Sequence, residues 1–165
     1  MIIIVFGLPG SGKSYFASRL AMQLEAEYIS SDELRMKLIS TRTYTDQEKL
    51  LVYNAMLTAM KEAVSRKNPV VLDATFYKEA IRRKFERTAE RLHEKIIYIE
   101  VTASESIIED RLKMPRTLSE ADFDVYLSLR KTAEPLKQDH LVLVSTNNNI
   151  VSMLHEAIQY IETIT

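Results

Sequence analysis

Residues 7–14 read GLPGSGKS and match the spacing G-x-x-x-x-G-K-[ST] through Gly7, Gly12, Lys13 and Ser14. Each residue type has a chemical use. Glycines allow backbone N–H groups to close around phosphate oxygens, and a helix starting after Gly12 aims the positive end of its dipole at them. A lysine reaches β- and γ-phosphates, and a serine hydroxyl suits Mg²⁺. The binding loop is read as Gly7, Leu8, Pro9, Gly10, Ser11, Gly12, Lys13, Ser14 and Tyr15. A chance match would arise in well under about one chain of this length in a hundred. All three glycines of the chain lie in this loop, which follows an apolar run and precedes a helical pattern. The ligands expected are ATP and Mg²⁺.

The elements that must position this loop alternate along the chain. Apolar runs at 1–6, 27–30, 69–73, 95–101 and 140–145 read as short strands. Helical patterns run over about 13–25, 31–39, 45–68, 77–93, 102–113, 119–135 and 150–163. Capping boxes are expected at Thr45/Glu48 and Thr102/Glu105, and Ser119 is expected to cap the sixth helix. Leu50, Tyr53, Leu57, Met60 and Val64 form the expected buried stripe of the third. Such alternation predicts an α/β fold with a parallel sheet covered on both faces, in one domain spanning 1–165.

Composition narrows the function. The 165 residues are 46% hydrophobic and 27% charged, with net charge −1, so no broad basic surface for extended nucleic acid is indicated. A short oligonucleotide stays open as a ligand. There is no cysteine, which removes disulfides and thiolate metal sites and is compatible with the cytoplasm. No run approaches the ~20 apolar residues of a membrane span. Oligomeric state is not legible.

The order and spacing of GLPGSGKS, ISSDELR (29–35), VVLDATF (70–76) and RLKMPRTLSEADFDVY (111–126), with Glu134-Pro135 after them, resembles the P-loop kinases, in particular the kinase domain of polynucleotide 5′-kinase and related small-molecule kinases. The resemblance covers most of the chain and implies a three-layer α/β/α sandwich. It implies that Asp32 is the base for an acceptor hydroxyl and that Arg35 contacts an anionic group on the acceptor. Asp32 is equally suited to a helix N-terminus through the dipole alone. Asp73 closes a strand and fits Mg²⁺ alongside Ser14, or, with Thr75, the acceptor side. Arg111 and Arg116 flank Met114-Pro115 in an expected lid at about 111–119. On one unbroken helix they would point about 140° apart, and the proline break frees them to converge on transferring phosphate. Arg82, Arg83, Arg87 and Arg91 read as a solvated helix face or a patch guiding an anion. The leading expectation is transfer of a γ-phosphoryl group to a hydroxyl of a small or short anionic acceptor. The alternatives are an NTP hydrolase and a nucleotide-sensing or interaction module.

Overall fold

In the computed structural model, which describes residues 1–115 and 121–165, five parallel strands form one sheet in the order β2-β3-β1-β4-β5. The strands are β1 (Ile2–Phe6), β2 (Glu27–Ser30), β3 (Val70–Asp73), β4 (Ile96–Thr102) and β5 (Leu141–Val144). The helices among the described residues are α1 (Lys13–Gln23), α2 (Ser31–Leu38), α3 (Asp46–Ser65), α4 (Glu79–Arg91), α5 (Glu105–Lys113), α6 (Phe123–Thr132) and α7 (Ile150–Ile164). The three-layer α/β/α architecture follows from β1, which is buried along its whole length and therefore apolar on both faces. Ile2, Ile4 and Phe6 pack with Met56 and Met60 of α3 and Phe85 of α4. Ile3 and Val5 pack on the other face with Phe16 and Leu20 of α1 and Leu154 of α7.

Register sets the position of the chemistry. Val5 pairs with Asp73, and Asp73 pairs with Ser30, so the three C-terminal ends stand level. Gly7, Thr75 and Asp32 each follow that row by two residues. This is the crevice in which open α/β sheets bind ligands.

Several local expectations shift. The buried stripe of α3 runs through Val52, Tyr53, Met56, Met60 and Ala63, while Leu50 is 40% exposed. The helix packs on the sheet and α4 through Tyr53, Met56, Met60 and Ala63, which leaves Leu50 turned outward. Thr45 does cap α3, accepting from the Glu48 N–H at 3.3 Å, but the Glu48 carboxylate reaches further back, to Thr43 and Tyr44. Ser104, not Thr102, caps α5, because β4 continues through Thr102. Helix α6 begins at Phe123 with Asp122 as its cap. Ser119 lies outside the described residues. Arg82, read with its neighbours as solvated or guiding an anion, is 3% exposed. It donates to the Phe76 carbonyl at 2.8 Å and the Pro135 carbonyl at 3.3 Å, tying the turn after β3 to the segment after α6.

The rotated stripe has a measurable consequence. Met60→Ala is expected to cost about 2–5 kcal/mol in urea unfolding. Leu50→Ala should stay within about 0.5 kcal/mol of wild type. The reverse order would restore the stripe read from periodicity.

Candidate active site

The loop between β1 and α1 is closed around by its neighbours. Gly7 has φ 152°, and a Cβ there would stand 2.2 Å from the Val101 carbonyl oxygen of β4, so no side chain fits. Gly12, at φ 92°, is the left-handed residue that starts α1. A Cβ on it would press on Arg111 Nη1 and Ser145 Oγ, both at 3.1 Å. The first turn of α1 follows directly, so its N–H groups face the loop.

Lys13 lines two adjoining cavities. One, of about 470 Å³, lies over Gly12, Ser14 and Tyr15 and reaches Arg111 and Asn147. The other, of about 460 Å³, lies on the α2 and α3 side and is lined by Asp32, Arg35, Lys49, Thr75, Tyr77 and others, including Pro9. The structure therefore brings the loop, Asp32, Arg35 and Thr75 to one crevice, with Lys13 at the junction.

Asp73 sits behind that junction. It is 2% exposed, and its Oδ2 accepts from the Tyr28 hydroxyl at 2.7 Å. Its Oδ1 is buried with no hydrogen-bond partner. Burial pushes its carboxyl above the ordinary range, opposed by the Lys13 charge, the Tyr28 hydrogen bond and the nearby Ser14 hydroxyl. A buried oxygen lacking a partner beside Ser14 fits a hydrated Mg²⁺, which keeps most of its waters and binds through few protein groups. Among the described residues no group of three His, Asp or Glu side chains could enclose a metal by itself. The bulk of the ligation would fall to phosphate and water.

Arg111 is more constrained than a lone lid arginine. Nη1 donates to the Gly10 carbonyl at 3.2 Å and Ser145 Oγ at 2.8 Å, and Nη2 donates to the Thr146 carbonyl at 2.9 Å. Ser145 in turn donates to the Ser11 carbonyl at 2.5 Å. Arg111 thus belongs to the cavity over the glycine loop and ties α5 to the end of β5. Arg116 and the second part of the expected lid, 116–119, lie outside the described residues. Phe76 is fully buried against Tyr53 and Phe85, while Tyr77 lines the cavity on the α3 side.

Two participants escaped the sequence. Tyr28 carries no motif, and only strand pairing sets it beside Asp73. Glu48, which has a 5% exposed side chain, was read as half of a capping box. Its Oε2 accepts from the Thr43 N–H at 2.7 Å, the Thr43 hydroxyl at 3.0 Å and the Tyr44 N–H at 3.0 Å. Its Oε1 lies 3.1 Å from Arg35 Nε, a charge contact without hydrogen-bond alignment. Arg35 Nη1 donates to Asp32 Oδ1 at 3.1 Å. The available signal was an acid four residues before Val52, on the buried side of α3.

With this geometry the fold and loop together define a P-loop kinase architecture. A family model described as an AAA domain (AAA_33) matches residues 2–136, and the chain belongs to that family. A search of curated proteins finds no match. Among solved structures the chain is similar to Chaetomium thermophilum Kti12 in complex with ADP-AlF3 (20% identity, TM-score 0.75, covering 99% of this chain and 98% of that one). It is also similar to a gluconokinase from Sinorhizobium meliloti 1021 (21%, TM-score 0.71, 98% and 91%). A third is the Mycobacterium tuberculosis APS kinase CysC in complex with AMPPNP and APS (15%, TM-score 0.74, 98% and 96%). At these identities the likeness is one of fold. No helix among the described residues is long and apolar enough to cross a membrane.

Burial raises the Glu48 pKa, but the Thr43 and Tyr44 donors and the Arg35 charge outweigh it and hold the carboxyl below its ordinary value of 4.5. Its stabilisation is therefore complete above that value and is lost as pH falls below it, through the lower folded-state pKa. Urea unfolding between pH 7 and pH 3 should show Glu48→Gln to be less stable than wild type at neutral pH. The gap should narrow as the medium becomes acidic. A gap independent of pH would remove the charge from this account.

Proposed function

We propose that the chain is an ATP-dependent phosphotransferase that moves the γ-phosphoryl group to a hydroxyl of a small or short anionic acceptor. The carrying observation is Lys13 at the junction of two cavities, with the glycine loop in one and the carboxylate of Asp32 in the other. A hydrolase needs only the first cavity. A second space of comparable volume with a carboxylate in its lining suits a hydroxyl acceptor that must be oriented and lose a proton. The kinases named among the similar structures support the class of reaction. A nucleotide, an oligonucleotide 5′-hydroxyl and a metabolite all fall within the acceptor class.

In this reading the N–H groups of residues 7–14 hold the phosphates, and Lys13 attends the oxygens shared between donor and acceptor. Asp32 takes the hydroxyl proton as the acceptor oxygen bonds to γ-phosphorus and ADP departs. Arg111 steadies the nucleotide side, and Arg116 is assigned to the same closure. Ser14 and Asp73 would hold Mg²⁺, which would supply neutralisation of phosphate charge. Thr75 lies on the acceptor side, beside the Tyr53 hydroxyl at 3.4 Å.

An ADP-release screen of sugars, sugar acids, 3′-phosphorylated nucleosides and short 5′-hydroxyl oligonucleotides tests the reading. One acceptor should accelerate ADP release well above the rate with water alone. On that acceptor, Asp32→Asn is expected to lower kcat about 10²–10⁴-fold while AMPPNP binding by calorimetry persists. Lys13→Ala should lower transfer by at least about 10² with an unchanged circular dichroism spectrum. ATP turnover indifferent to every acceptor, together with a silent Asp32→Asn, would favour the hydrolase.

A further inference from the structure

Three cations among the described residues line the cavity on the acceptor side: Lys13, Arg35 and Lys49. Lys13 belongs to the glycine loop. The charge of Arg35 is already engaged, since it lies between Asp32 at 3.1 Å and Glu48 at 3.1 Å with its side chain only 12% exposed. Glu48 has no slack to release it. Its other oxygen accepts three hydrogen bonds from residues 43 and 44. Two carboxylates flank this guanidinium, so the charge of Arg35 itself is already opposed.

Lys49 differs. Its ammonium donates to the Tyr77 hydroxyl at 3.4 Å and lies 5.7 Å from the centre of that ring. Its carboxylate neighbour, Asp46, is 3.6 Å away with a side chain 98% exposed. A pair of that kind is held weakly, because water screens it. Tyr77 leaves from the end of β3 and Lys49 from the first turns of α3, so the two enter the cavity from different elements. The remaining wall includes the apolar side chains of Val52, Val125 and Leu129, which offer no competing anion.

Resting on the proposal that this cavity takes the phosphoryl acceptor, we propose that Lys49, held against Tyr77, receives the acceptor's anionic group. Arg35 is a positioning residue, locked by Glu48 so that it orients Asp32. The ligand chemistry is a hydroxyl compound carrying a carboxylate or phosphate, whose charge enters on the α3 and Tyr77 side and not at the α2 arginine.

The test reads both cations in the same sample, without turnover. Protein saturated with Mg²⁺ and AMPPNP, so that the glycine loop is filled, is titrated with inorganic phosphate and separately with acetate. The Lys49 CεH₂ and Arg35 Nε–H resonances, assigned through Lys49→Met and Arg35→Lys, are followed by NMR. Lys49 should shift saturably with at least one anion while Arg35 stays still and exchanges slowly. In Glu48→Gln, Arg35 Nε–H exchange should accelerate at least tenfold. A saturable shift at Arg35 with none at Lys49, or no shift at either, overturns the Lys49 assignment. Unchanged Arg35 exchange in Glu48→Gln overturns the positioning role. With an acceptor from the screen, Lys49→Met should raise its KM at least tenfold, beyond any loss in kcat, whereas Arg35→Lys should fall mainly on kcat. The opposite split overturns the proposal. A screen without any acceptor removes the kinase reading, while the resonances still decide where an anion binds.

Discussion

A carboxylate at the end of a central strand cannot lie in the core without compensation, and Asp73 is where this fold meets that constraint. Its desolvation is opposed by one hydroxyl from β2, by the charge of Lys13 and by Ser14 at the start of α1. All three depend on the register that sets Ser30, Asp73 and Val5 level. A slip of one residue between β2 and β3 would turn Tyr28 to the other face and leave the carboxylate without its hydroxyl. The same register delivers the glycine loop, Thr75 and Asp32 to one rim. The placement of the glycine loop and that of Asp32 are thus two results of one alignment.

A second buried acid organises the α2 and α3 side. Glu48 joins three pieces that have little else in common: the first turn of α3, the connection at residues 43 and 44, and Arg35 on α2. Through Arg35 its influence reaches Asp32. The α2–α3 connection, residues 39–45, is tied internally through Glu48. Charge-assisted hydrogen bonds from two consecutive residues to one carboxylate oxygen supply that tie. The cavity between α2 and α3 is therefore shaped by a polar cluster and walled in part by apolar groups.

On the opposite side, Arg111 and Ser145 do for the glycine loop what Glu48 does for α2. They connect carbonyls of the loop to the end of β5. Backbone carbonyls in a tight loop cannot pair with one another, so side chains from elsewhere must meet them. Arg82 plays the same part at the turn after β3. In each case a long cationic or hydroxylic side chain crosses from a neighbouring element to a strained connection.

The glycine loop, the alternation of strand and helix, and the positions of Asp32, Asp73 and Thr75 at or just past strand ends were legible in the sequence, because each depends on spacing within a few residues. The five strands and the parallel sheet follow from the same local patterns. The roles of Glu48, Tyr28, Arg82 and Ser145 were not legible, and neither was the outward rotation of Leu50. Tyr28 and Asp73 are 45 residues apart, and Ser145 lies 134 residues from Ser11. Nothing local marks such pairs, since a buried polar group takes its partner from whatever element the fold brings near. Arg35 shows the division most clearly. Its place one turn after Asp32 could be read from the chain, but its second carboxylate neighbour, Glu48, was decided by α3, which brings that side chain against it.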